Sequence, residues 1–125
     1  MRILIAEDEQ RTRQGLVRVL QSLRDEYEIV AQASNGKAAL EMILEQKPDV
    51  VFIDIKMPFM DGLELSRLVK KALPRMRIIV LSGYNEFEYA KEAIKIGISD
   101  YLLKPVSSAG LIDALKKAAD EIREE

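Results

Sequence analysis

Asp49-Val50-Val51-Phe52-Ile53-Asp54 lies near the middle of the chain, and its reading decides the fold. Four consecutive apolar residues, three of them β-branched, run straight into a carboxylate. A strand with one wet face alternates apolar and polar residues. This run does not alternate, so both of its faces must be covered, as in a parallel sheet. Three other runs share the signature: Ile3-Leu4-Ile5-Ala6 before Glu7, Ile78-Ile79-Val80-Leu81 before Ser82, and Tyr101-Leu102-Leu103 before Lys104. Glu28-Ile29-Val30-Ala31 is a fifth candidate strand.

Between these runs the apolar period lengthens to that of a helix. Leu16, Val19, Leu20 and Leu23 follow i, i+3, i+4, i+7 spacing. Leu65, Leu68, Val69 and Ala72 repeat it, as do Leu111, Leu115, Ala118 and Ile122. Leu40, Ile43 and Leu44 mark a second helix, and Phe87, Ala90 and Ile94 a fourth. Asp61-Gly62-Leu63-Glu64 and Asn85-Glu86-Phe87-Glu88 read as capping boxes. Gly97 fits the position just past a helix end, and Pro48 and Pro74 follow helix ends. Five βα units in strict alternation predict one α/β domain over residues 1–125, with a doubly wound parallel sheet. Right-handed crossovers favour the flavodoxin-like (βα)5 arrangement with strand order 2-1-3-4-5.

Composition narrows the chemistry. The 125 residues are 48% apolar, which suits a chain that folds around its own core. With no cysteine, disulfides, thiolate zinc sites and thiol catalysis are excluded. With no histidine, the commonest general base and transition-metal ligand are missing. Nineteen basic and 21 acidic residues give a net charge of −2, which is not a nucleic-acid-binding balance. Met1-Arg2 and a four-residue apolar run are too short for a signal peptide, and no stretch is long enough to span a bilayer. The expected location is the cytoplasm, without membrane association.

In open α/β sheets, ligands bind beyond the carboxyl ends of the strands, where strand order reverses. Glu7 and Asp8 follow the first strand, Asp54 ends the third, Ser82 the fourth and Lys104 the fifth. The predicted order makes strands 1 and 3 neighbours, so Asp8 and Asp54 share a crevice. Crowded carboxylates repel, and a hard cation relieves the conflict. Mg2+ suits this site, with Asp8 and Asp54 as direct ligands, Glu7 acting through water and the Lys56 backbone carbonyl offering a further oxygen. Asp54 is then placed as a nucleophile forming an aspartyl phosphate. Lys104 brings positive charge to the phosphoryl group or to Asp54, and the Ser82 hydroxyl can bond a phosphoryl oxygen. Taken singly, each residue also has a plain structural reading: Asp54 as a turn residue, Glu7-Asp8-Glu9 as helix-start charge, Ser82-Gly83 as a turn, Lys104 as a solvated lysine.

The same residues carry a family resemblance. Ile3 to Glu9, Asp49 to Gly62, Leu81-Ser82-Gly83-Tyr84 and Asp100-Tyr101-Leu102-Leu103-Lys104-Pro105 together resemble the receiver domains of two-component response regulators, over nearly the whole chain. The resemblance implies that Asp54 is the phospho-acceptor and that Glu7 and Asp8 form the acidic pair that holds Mg2+. It implies that Ser82 is the switch hydroxyl, that Lys104 is the active-site lysine and that the Lys104–Pro105 bond is cis. It also makes Tyr101 an aromatic switch, although a half-buried strand-end tyrosine needs no such role. Many relatives have Asp at the position of Glu7 and Thr at that of Ser82. The stretch from Ser82 to Val106 is most similar to receivers joined to an AraC-type helix-turn-helix DNA-binding domain.

The implied function is a phospho-accepting switch rather than an enzyme acting on other substrates. A sensor histidine kinase would be the phosphodonor. The face of the fourth helix, fifth strand and fifth helix, including Tyr84, Glu88, Lys91, Glu92 and Lys95, would contact an effector or a second copy in a homodimer. DNA would be reached only through a separate effector domain. Three rivals stand beside this reading. A metal-dependent phosphatase would need a second catalytic group. A flavin or nucleotide binder would need a glycine-rich first loop in place of Glu7-Asp8-Glu9-Gln10. A third is an interaction module without phosphorylation.

Overall fold

The computed structural model describes residues 1–23, 26–83 and 87–124. The elements run β1 (Arg2–Ala6), α1 (Gln10–Ser22), β2 (Glu28–Ala33), α2 (Gly36–Gln46), β3 (Val50–Asp54), α3 (Gly62–Ala72), β4 (Arg77–Ser82), α4 (Phe87–Ile96), β5 (Asp100–Leu103) and α5 (Ser108–Arg123). All strand pairs are parallel, and the sheet order is β2-β1-β3-β4-β5. This is the expected flavodoxin-like arrangement. The residues at 84–86, which include Tyr84 and the start of the second capping box, lie outside the described residues, as does the side chain of Phe87.

Every residue of β3 is buried, as its unbroken apolar run requires. Successive strand residues point to opposite faces and feed two separate cores. On one face Ile3, Ile5, Phe52, Ile79 and Leu81 pack against Leu16 and Leu20 of α1 and Leu111, Leu115 and Ala118 of α5. On the other, Leu4, Val51, Ile53, Ile78 and Val80 meet Ala39 and Ile43 of α2, Leu65 and Val69 of α3 and Ala93 of α4.

Some expectations change in detail. β2 extends to Ala33, and the register with β1 shifts between Ile3 and Leu4, so Val30 has no opposite residue. Leu44 is 43% and Ile94 60% exposed, although both were expected to mark core stripes. The buried stripe of α2 is Gly36, Ala39 and Ile43, and Leu44 lies one residue, about 100°, further round. In α4 Ala90 faces inward as expected, and Ala93 rather than Ile94 joins it. Ala72 is exposed, while Leu63 and Ser66 of α3 are buried; Ser66 donates its hydroxyl to the Gly62 carbonyl at 2.7 Å.

Helix ends follow their predicted chemistry in part: Asp61 caps α3, with no return bond from the Glu64 side chain among the described residues, and Asn35 caps α2 without having been expected to. Asp61 Oδ1 accepts from the Glu64 N–H at 2.9 Å, and Asn35 Oδ1 from Ala38 at 2.8 Å. The Glu64 carboxylate sits 3.7 Å from Arg67. Gly97 closes α4 at φ 95°, its N–H donating to the Ile94 carbonyl.

Candidate functional site

The carboxyl ends of β1, β3, β4 and β5 meet at one rim. The Glu7 N–H donates to the Ala33 carbonyl at 3.0 Å, so pairing with β2 continues one residue past β1 and turns Glu7 inward. Glu7 is fully buried, and Asp8 beside it is exposed. Asp54 ends β3 with 3% of its surface accessible. Ile55 N donates to the Leu81 carbonyl and Lys104 N to the Ser82 carbonyl, locking these strand ends together. Ser82 is buried at the end of β4. Lys104 follows β5, and its peptide bond to Pro105 is cis.

One oxygen each from Glu7, Asp8 and Asp54 lies within 4.8 Å of the other two. Lys104 Nζ spans two of the three carboxylates, 2.7 Å from Glu7 Oε1 and 3.0 Å from Asp54 Oδ1. The approach to Glu7 is an ion pair without hydrogen-bond direction, so Oε1 stays buried with no directed bond. Burial pushes the Asp54 carboxyl up to about 8, and the adjacent Glu7 carboxylate pushes the same way, against a smaller pull from Lys104. Burial lowers the Lys104 ammonium, but its contacts with Glu7 and Asp54 outweigh that and leave it raised.

These features fit a hard divalent cation. All the donors are oxygens, one carboxylate oxygen is buried without a directed partner, and positive charge would return Asp54 to its ionised form. Beside Asp8 opens a crevice of about 440 Å3 lined by Ile55, Lys56, Met57, Asp61 and Tyr89. Sequence reading did not single out Tyr89 as a site residue. It comes from α4, and only the packing of α4 beside this loop brings it there. Tyr101 stands on the edge strand, 39% exposed.

Comparison with known proteins identifies the family. Residues 3–116 match the family model of the response regulator receiver domain. The transcriptional regulatory protein YesN of Bacillus subtilis (strain 168) is 40% identical over 122 residues, covering 98% of this chain and 33% of that protein. The transcriptional regulatory protein DegU of Brevibacillus brevis is 35% identical over 119 residues, covering 95% of this chain and 50% of that one. The chain thus spans between a third and a half of these two relatives. The REC domain of AraT, a response regulator from Geobacillus stearothermophilus, superposes with a TM-score of 0.92 at 39% identity, covering 98% of this chain and 95% of that one. The sheet order, the acidic rim and the family match over residues 3–116 place this chain among the response regulator receiver domains.

Proposed function

We propose that Asp54 accepts a phosphoryl group from a phosphohistidine of a sensor histidine kinase. The observation that carries this is the placement of Asp54: buried at the carboxyl end of the central strand, with the Lys104 ammonium 3.0 Å away. An Asp54 oxygen attacks phosphorus in line, the P–N bond breaks, and the donor imidazole leaves with the electron pair. Lys104 offsets charge on the transferred oxygens, and the Ser82 hydroxyl then bonds one of them. Mg2+ is the cation of choice, held by Asp8, Asp54 and the Lys56 carbonyl, with Glu7 acting through water; it supplies charge neutralisation.

A groove of about 500 Å3 beside Lys104, between α1 and the start of α5, supports docking of the donor protein. It is lined by Thr12, Gly15, Leu16, Val106 and Leu111. The output face is read as that of α4, β5 and α5. Ile94, Tyr101 and Leu103 are 60%, 39% and 52% exposed there, an apolar surface suited to an effector domain or a second copy. Tyr101 is read as the residue that turns inward when Ser82 moves to the phosphoryl group. Transcriptional output through an AraC-type DNA-binding domain outside this chain, and a cytoplasmic location, complete the proposal. Among the described residues no helix is long and apolar enough to cross a membrane.

The test is intact mass after incubation with Mg2+ and acetyl phosphate, beside Asp54→Asn. A gain of one phosphoryl group that needs Mg2+ and is lost in the variant is expected. No gain, together with no response to beryllofluoride, would favour an interaction module without phosphorylation.

A further inference from the structure

Asn35-Gly36 is the one Asn-Gly pair in the chain. Each residue is required where it stands, for a separate reason. Asn35 is the N-cap of α2, and its Oδ1 accepts from the Ala38 N–H at 2.8 Å. Gly36 opens the helix buried against the loop after β3, and a Cβ there would overlap the Met60 carbonyl. Together the two demands create a chemically labile pair, because a glycine nitrogen is the least hindered backbone nucleophile that can follow an asparagine. Water is at hand, since Asn35 is half-buried and lines a surface groove of about 330 Å3 beside Phe59. The native geometry nevertheless holds the reaction off. Ring closure needs the Gly36 nitrogen nearly eclipsed with Asn35 Cβ, so that it reaches Cγ. The extended backbone of Asn35, φ −155° and ψ 163°, keeps the two well apart, and the cap bond fixes the side-chain amide.

We propose that Asn35-Gly36 is a spontaneous deamidation site, kept dormant by the α2 cap, whose isoaspartate product releases the loop between Asp54 and Asp61. When the first turn of α2 opens, hydroxide takes the Gly36 N–H proton and the nitrogen attacks Asn35 Cγ. The new C–N bond closes a succinimide, and the side-chain nitrogen leaves as ammonia after taking a proton from water. Water then opens the ring. Attack at Cγ gives aspartate; attack at the main-chain carbonyl of residue 35 gives isoaspartate, with an extra methylene in the backbone. Aspartate still caps α2 and suits its N-terminus. Isoaspartate displaces Gly36 at the point where packing against Met60 has no room for one added carbon. The lesion therefore reaches the site loop through α2, without altering any residue of the site.

The test ages the chain in mildly alkaline buffer, folded and in guanidinium chloride, and follows residue 35 by peptide mass and by isoaspartyl methyltransferase labelling. Deamidation at Asn35 is expected to be at least about tenfold slower in the folded chain. Equal rates in the two states, or an unmodified Asn35 in the unfolded chain, would overturn the proposal. The isoaspartyl form is then separated, refolded and melted beside Asn35→Asp, which carries the same charge without the added methylene. Its midpoint is expected to fall by about 4 °C or more, with Asn35→Asp close to the wild type. An isoaspartyl form that does not refold, while unmodified chain aged beside it does, counts with a lowered midpoint. Equal midpoints for the isoaspartyl form and Asn35→Asp would overturn the proposal. Phosphoryl uptake gives the second readout, and it alone rests on the reading of Asp54 given above. Slower uptake by a folded isoaspartyl form is expected, and unchanged uptake would overturn the release of the loop. If the wild type takes up no phosphoryl group, the Asp54 reading fails and the melts alone decide.

Discussion

A Cβ on Gly62 would stand 2.2 Å from the backbone carbonyl oxygen of Asp54. The first residue of α3 therefore packs directly against the strand end that carries the candidate nucleophile. Its N–H donates back to the Ile55 carbonyl at 2.6 Å. Across the loop, a Cβ on Gly36 would stand 2.0 Å from the Met60 carbonyl oxygen. Two helix starts thus clamp the segment between Asp54 and Asp61, and both clamps require the absence of a side chain.

Gly62→Ala is expected to push the Asp54 backbone out of place. The obstacle is backbone rather than a flexible side chain, so relief requires the strand end or α3 to move. A loss of about 1–3 kcal/mol in urea unfolding is expected, together with slower phosphoryl uptake. Unchanged stability would show that α3 shifts freely.

Phe59 lies within the same loop at φ 69° and is 87% exposed. A left-handed backbone is unfavourable for a bulky side chain, and the ring recovers little by burial. Phe59→Asn should raise stability by about 0.5–1 kcal/mol in the same assay. A destabilised variant would mean that the ring makes a contact worth more than the backbone strain.

Cation-free stability should depend on pH through Asp54. Its carboxyl titrates at about 8 in the folded chain against an ordinary 3.8. Between these values the folded state holds a proton that the unfolded state has released, so stability falls as pH rises. The contribution is complete below 3.8 and lost as pH passes about 8. Asp54→Asn removes the titration and should be more stable at pH 7 by on the order of 2 kcal/mol. Thermal melts from pH 5 to pH 8, with and without Mg2+, check this. A cation should flatten the slope in the wild type, and equal slopes in wild type and variant would count against it.

Ile94 and Leu103 are more than half exposed, so neither contributes much to the core. Replacing both with Ser is expected to change stability by less than about 0.5 kcal/mol. It should nevertheless weaken any self-association that beryllofluoride induces. Sedimentation velocity distinguishes the outcomes: a dimer that persists in the double variant would move the contact off this face.

Strand identity was legible because burial on both faces leaves an unbroken apolar run, and Val50 to Asp54 is buried throughout. The positions of Asp54 and Ser82 were legible for the same reason, since each is the polar residue that ends such a run; Lys104 also ends an apolar run, but β5 is an edge strand whose Tyr101 and Leu103 stay exposed, so that run was not covered on both faces as expected. Leu44 and Ile94 were misplaced because a few apolar residues on a short helix fit more than one stripe. Which stripe turns inward depends on how closely the helix approaches its neighbours, and α2 and α4 approach with Gly36, Ala39, Ala90 and Ala93.

The sequence by itself determined the element order, the parallel sheet and the set of polar residues at its carboxyl edge, because those follow from local periodicity and chain connectivity. Only the tertiary structure decided how that set is divided. Glu7 and Asp8 are adjacent carboxylates in the sequence, yet pairing with Ala33 turns one into the core and leaves the other in water. Lys104 reaches Glu7 and Asp54 from nearly a hundred and from fifty residues away. Contacts at that range depend on sheet register and desolvation, which no local pattern encodes.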